Sequence, residues 1–396
     1  MDVKRNIPLL FLVGNTIWIR FFIPILALLY IASEVPFEQF TLIMGIFSLV
    51  ILLLEIPSGV VADLIGKSNV IFISQLLFFV EIFIIAFFNG FIAFFIAKMI
   101  SGVAVSLVSG ASDALFYDTL KKLKRLDEHK RLSGKRQIFQ NSMMAVTFTI
   151  GAYLFTIDPK LPVKAALPLS VMVIILAFLL VEPYKPGKRM TLNNSWLQLK
   201  EGIRYFRSHD QVKYLALFSI PVISVVYVVL TISSVYFKKV LIPVAFIGAI
   251  AFLTRMMTAL SSGKAYRIEK HLGDRGSLRL VQILLVVALI LLAGMVPYFG
   301  ALFFLLIPFA MGFFIVLMNH YLNSHIPTSH RATILSIRNM GDSIGVSLLF
   351  PVVGYFSKVF SMQAALIATL VIFVVHSILL LLYSRTLDLK MLHKPT

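Results

Sequence analysis

The sequence predicts an all-α membrane protein of twelve spanning helices, and three observations carry that prediction. Apolar runs of about 20 residues, enough to cross about 30 Å of hydrocarbon as a helix, recur along nearly the whole chain. Of the 396 residues 59% are hydrophobic and 14% charged, against roughly 45–50% and about 25% in soluble domains, and the mean hydropathy is +0.93. The basic residues gather in alternate connections between the runs. These features exclude an ordinary soluble enzyme, a disordered chain and a barrel of short alternating strands.

Taken in order, the first span, 7–31, follows Lys4 and Arg5 but is too long for a signal peptide and lacks a small-residue cleavage site. The second, 39–62, follows Glu34 and Glu38; the third and fourth, 69–88 and 91–116, are separated by Asn89-Gly90. A strongly basic segment precedes the fifth, 133–157, and the sixth covers 164–182. After a long polar connection come 212–237, 242–262, 277–297, 300–324, 333–357 and 361–384. Pro24, Pro221 and Pro308 interrupt the first, seventh and tenth spans and offer places to bend.

Lys and Arg outnumber Asp and Glu by 36 to 18, a formal net charge of +18. In a soluble protein that excess would suggest nucleic-acid binding, but here the charges follow the connections. Thr119–Arg136 carries Lys121, Lys122, Lys124, Arg125, Lys130, Arg131, Lys135 and Arg136, and Tyr184–Lys213 and Lys264–Arg279 are also basic, whereas the intervening connections are nearly free of positive charge. Positive charge stays inside, so both termini are expected in the cytoplasm and the membrane is expected to be an inner or plasma membrane. The chain contains no cysteine, which excludes disulfides and thiolate metal sites; neither a metal nor a cofactor is expected.

The polar connection divides the spans six and six, predicting two pseudo-symmetric six-helix bundles, 1–183 and 212–396, joined by a cytoplasmic linker, 184–211. Two echoes support a duplication. Ser58-Gly59 before Gly66-Lys67 resembles Ser262-Gly263 before Gly273-Asp274-Arg275, and Gln140-Asn141 resembles Arg338-Asn339. Within the linker, Asn194–Arg207 sets Trp196, Leu197, Ile203, Tyr205 and Phe206 among Lys200, Arg204 and Arg207, a pattern open to either an amphipathic surface helix or a solvated linker.

After the second span stands Gly59-Val60-Val61-Ala62-Asp63-Leu64-Ile65-Gly66-Lys67. This resembles the signature loop of the major facilitator superfamily, Gly-x-x-x-Asp-x-x-Gly-Arg/Lys, in the connection where that family carries it. The resemblance covers essentially the whole chain and implies the twelve-helix transporter fold, alternating access and a loop that latches the first half against the eleventh span. Gly59, Asp63, Gly66 and Lys67, with Arg338 as partner of Asp63, are then expected to form a conformational switch. In physical terms Gly59 suits a close helix approach, Asp63 an acid at a helix end, Gly66 a tight turn and Lys67 the anionic leaflet. Lys98-Met99-Ile100-Ser101-Gly102-Val103-Ala104 is similar, with departures, to a family motif associated with proton coupling.

An ionisable side chain inside a span is costly and therefore a functional candidate. Glu55, Glu81, Asp113 and Lys98 are candidates for proton coupling. The resemblance places the first, fourth, seventh and tenth spans around the cavity, making Arg20, Asn15, Tyr227 and Asn319 candidates for substrate contact. Arg20 is open to a structural pair with Glu55 or Asp113, and Arg338 and Asp342, four apart, to pairing with each other. The expected function is secondary active transport of a small, amphipathic organic molecule with proton-coupled efflux, by a monomer whose partners are its substrate, protons and membrane lipids, with no nucleic acid. Import of a nutrient or organic anion, proton-coupled or facilitative, is the alternative within the class; a non-coupled receptor or lipid-handling protein is the alternative outside it.

Overall fold

The structure, a computed structural model, describes residues 2–184, 192–327 and 331–386; of residues 192–199, 323, 325, 331, 332, 385 and 386 the backbone alone is described. The elements are α1 (Asn6–Val13), α2 (Leu26–Ala32), α3 (Phe37–Ile65), α4 (Lys67–Phe87), α5 (Phe91–Lys122), α6 (His129–Ile157), α7 (Leu161–Phe178), α8 (Leu192–Ser208), α9 (Asp210–Lys239), α10 (Ile247–Ala293), α11 (Gly300–Phe304), α12 (Leu306–His325), α13 (Arg331–Val359) and α14 (Met362–Thr386). No strand occurs among the described residues.

Among the described residues ten helical segments are long and apolar enough to cross a membrane. One of them holds the expected eighth and ninth spans, because α10 runs on through a turn at Gly273, where φ is +65°. Gly66, the corresponding glycine between α3 and α4, has φ +93°, so the sequence echo marks two turns that both use the left-handed region open to glycine. The first span completes the twelve, but as a broken one. Instead of the continuous helix expected over 7–31, α1 ends at Val13, short 3-10 turns occupy Thr16–Ile19 and Ile23–Ile25, and α2 follows.

The chain separates into two compact units, each with its own core. The first comprises Met1–Pro36, Ile46–Ser195 and Val244–Phe252. Its core packs Trp18, Ile19, Leu115, Phe116, Met144 and Phe148 together. Asn6 clasps the two ends of this unit, accepting from the Val181 amide at 2.9 Å and donating to the Val181 carbonyl at 2.7 Å and Thr119 Oγ1 at 3.0 Å. Between α6 and α7, Lys160 Nζ donates to the carbonyls of Ile85 and Phe88 at 2.6 and 2.8 Å and closes the C-terminal end of α4. Burial pushes this ammonium down to about 8, Lys164 adding to the shift and Asp158 opposing it.

The second unit comprises Phe37–Gly45, Trp196–Pro243 and Leu253–Thr396. Phe218 stacks on Phe314 and Phe237 meets Phe304 edge-on at 4.8 Å. Pro221 removes one donor from α9 and so frees the carbonyl of Leu217; His376 Nε2 of α14 lies 3.0 Å from that oxygen and satisfies it. Outward-facing apolar residues such as Leu53, Ile92, Phe178 and Leu348 are more than half exposed, as lipid-facing positions require.

Candidate substrate cavity

The break in the first span builds the site. A helix end leaves four carbonyls without partners, and in hydrocarbon each must be satisfied from elsewhere. At the end of α1 the Leu10 carbonyl accepts from the Gly14 amide at 3.1 Å, Phe11 from Gln140 Nε2 at 3.5 Å, Leu12 from Trp18 Nε1 at 2.9 Å and Val13 from Gln75 Nε2 at 3.4 Å. Asn15, expected to meet substrate, also caps the next turn by accepting from the Ile17 amide at 3.2 Å. Two glycines allow the unwound segment to lie flush with its neighbours. A Cβ at Gly14 would collide with Arg136 Nη2 and stand 2.6 Å from Ser112 Oγ, and one at Gly151 would run into the Phe21 carbonyl.

Beside this segment a cavity of about 500 Å³ opens between the unwound stretch, α4, α5 and α6. Ile17, Phe78, Val105, Val108 and Phe116 supply its apolar wall, and Asn15, Ser109, Ser112, Asp113, His129, Ser133, Arg136, Gln137 and Gln140 its polar one. Arg136 Nη1 pairs with Asp113 Oδ1 at 3.1 Å, and Nη2 donates to Ser112 Oγ at 2.7 Å. The two partners differ sharply in access: the Asp113 side chain is 82% exposed and that of Arg136 is 9%. An entering solute therefore meets the carboxylate, while the guanidinium lies beneath it.

Arg20 lines the cavity and joins Glu81 and Lys98 behind it in a buried cluster. Arg20 Nη2 lies 3.0 Å from one Glu81 oxygen and Lys98 Nζ 3.6 Å from the other, all three side chains being less than a tenth exposed. One acid thus serves two cations. Each cation also rests on an aromatic face, Arg20 at 4.1 Å from the Phe78 centroid and Lys98 at 4.4 Å from that of Phe47, a placement that lowers the cost of the surplus charge. The expected pairing of Arg20 with Glu55 or Asp113 is corrected by this geometry: Glu81, on the adjacent α4, reaches it first.

The signature loop joins α3 to α4. Gly66 makes the expected turn, but Gly59 is exposed and a Cβ there would meet nothing within 4 Å, so among the described residues no close helix approach occurs at that position. Glu182, in place of Asp63, takes the N-terminal donors of α4, accepting from the Ser68 amide at 2.9 Å and Ser68 Oγ at 3.0 Å. Lys67 pairs with Asp118 of α5. Asp63 sits in the last turn of α3, where the helix dipole disfavours an acid.

In the second unit Arg338 Nε lies 3.4 Å from Asp342 Oδ2, and Ser219 Oγ donates to Asp342 Oδ1 at 2.6 Å. Tyr227 and Asn319 are exposed there, Tyr227 edge-on to Phe350. Of the expected site residues, the structure brings Asn15, Arg20 and Asp113 to one cavity, with Glu81 and Lys98 adjoining through Arg20; Glu55 is half-buried on α3 and does not line it. Sequence reasoning missed Arg136, Gln140 and His129. By composition Arg136 belongs to the basic run Thr119–Arg136, which overlaps the expected fifth span, whereas the structure sets it well inside α6, which starts at His129. Arg136 and Gln140, four apart and therefore on one face of α6 where its basic N-terminal half gives way to apolar residues, were the available signal.

A sequence model of the Major Facilitator Superfamily matches residues 8–345, and the chain belongs to that superfamily; it is an integral membrane transporter. Solved structures share its fold. A mutant of the nucleoside transporter NupG is 12% identical, covering 96% of this chain and 100% of its own, with a TM-score of 0.79. A bacterial homolog of the human lysosomal transporter Spinster, inward-facing and unoccupied, is 14% identical over 100% and 99%, with a TM-score of 0.77. A D-xylose-proton symporter is 14% identical over 94% and 95%, with a TM-score of 0.68. No curated protein sequence matches at a significant level.

Proposed function

We propose that the protein exports a small amphipathic organic cation in exchange for protons, both competing for Asp113. The observation that carries this reading is the contrast in exposure within one ion pair: a carboxylate open to a cavity with an aromatic and aliphatic wall, and an arginine buried behind it. A cationic solute gains an ion pair at Asp113 and apolar contact with Phe78, Phe116 and Val108. A proton on the same carboxylate releases both the solute and Arg136. An inside-negative potential draws organic cations inward, so their export needs a driving ion, and a proton moving in at Asp113 supplies it. The alternative, an organic anion bound by Arg20 and Lys98, is weakened because both cations already share Glu81.

In this proposal two six-helix halves, 1–183 and 212–396, joined by the cytoplasmic linker 184–211, alternate access around the site in a monomer of the cell membrane. Both termini lie in the cytoplasm. Gly59, Asp63, Gly66, Lys67 and Arg338 act in the switch between states and not in substrate choice. The test is proton flux from purified protein in sealed liposomes under an imposed pH gradient, across a panel of lipophilic cations, organic anions and sugars. We expect flux with cations, abolished in Asp113→Asn. Flux with anions alone, or cation flux untouched in Asp113→Asn, would overturn the proposal.

A further inference from the structure

The linker helix α8 carries a basic stripe that transport chemistry does not use. Lys200, Arg204 and Arg207 are spaced by four and then three residues, which on a 3.6-residue helix confines them to a sector of about 60°. All three are exposed, and none has an ion-pair partner among the described residues; the nearby Asp210 pairs with Lys213 at 2.5 Å. Gly202 falls on the opposite side of the helix and is buried. A Cβ there would collide with Thr333 Cγ2 and come within 3.2 Å of Ile337 Cδ1. The helix is therefore docked along one face, and its cations point away from the dock.

The docking partner sets the depth. Thr333 opens the apolar span Thr333–Val359, and Ile337 lies only one turn, about 6 Å, further in. A helix seated there runs along the end of a span, at the level where hydrocarbon gives way to headgroups. Tyr205 and Phe206, half-buried on its flanks, are the side chains that favour this boundary. Two guanidiniums and an ammonium fixed at that level match phosphate in charge and geometry.

We propose that α8 binds acidic phospholipid headgroups through Lys200, Arg204 and Arg207. The reading is independent of the transported solute. Each basic residue near an anionic surface contributes about a fivefold enrichment, the equivalent of about 1 kcal/mol. The chain has two tryptophans, Trp18 and Trp196, and Trp196 lies in α8, so the quenching difference between the native chain and Trp196→Phe reports on lipid around this helix. In nanodiscs of mixed phosphatidylcholine and phosphatidylglycerol, one lipid brominated at a time at equal mole fraction, we expect brominated phosphatidylglycerol to quench Trp196 at least about twofold more than brominated phosphatidylcholine. The preference should vanish in Lys200→Gln/Arg204→Gln/Arg207→Gln and persist in Lys200→Arg/Arg204→Lys/Arg207→Lys, which keeps the charge. Equal quenching by both lipids, or a preference that survives the glutamine variant, would overturn the proposal. So would a response of Trp196 confined to a soluble acidic peptide added to phosphatidylcholine discs, which would make the stripe a protein-binding surface.

Discussion

At the scale of single residues, the site is governed by which charge is left over. Glu81 is the acid of two buried cations, so Glu81→Gln leaves both without a counter-charge and should cost about 3–5 kcal/mol, read as a lower melting temperature in detergent. Lys98→Met is expected to cost far less, or to stabilise, because it leaves Arg20 and Glu81 as a one-to-one pair at 3.0 Å. Equal losses in the two variants would contradict this ordering. The individual charges were legible in the sequence, since an ionised side chain in a long apolar run stands out. Their partners were not: Glu81 is 61 residues from Arg20 and meets it only because α4 packs beside the unwound stretch. Arg136 escaped notice for another reason. It lies where a basic connection becomes an apolar helix, and composition alone places such a residue on either side of the boundary.

At the scale of elements, close approach separates glycines that matter from glycines that do not. Gly151→Ala should destabilise by about 1–3 kcal/mol, as overpacking against the main-chain oxygen of Phe21 forces α6 outward. Gly59→Ala should fold as well as the native chain or better by up to about 1 kcal/mol, because its Cβ enters open space on a helix. Melting temperatures of the two variants check this directly. In the α6–α7 connection, the folded-state value of Lys160 lies near 8 against the ordinary 10.5. The unfolded chain therefore binds more protons between those values, and stability should rise with pH from about 8 to about 10.5 relative to Lys160→Met. A difference that stays flat over that interval would argue against the burial of this ammonium. The helices themselves were legible from the length of the apolar runs, but the interruption at 14–25 was not. Unwinding leaves composition unchanged, and the glutamines and tryptophan that compensate for it come from elsewhere in the fold.

For the whole molecule, the expectation is twelve crossings with the basic connections inside. The chain has no cysteine, so each cysteine introduced reports alone. Asn89→Cys should react with a membrane-impermeant maleimide in intact cells, and Lys130→Cys only after permeabilisation; the reverse pattern would invert the proposed topology. That topology follows from charge placement, whereas the proposed solute is read from a cavity lining gathered from four separate stretches of chain, which no single stretch spells out. The first span adds one more property at this scale. No main-chain hydrogen bond among the described residues runs from α1 into α2. α1 is held by the Asn6 clasp to Val181 and Thr119, and α2 by Tyr30 set edge-on against Phe94 at 4.6 Å. The span is thus two short rods with no main-chain hydrogen bond between them, each seated by a different set of neighbours, so that the force holding one rod is not passed to the other along the backbone ladder.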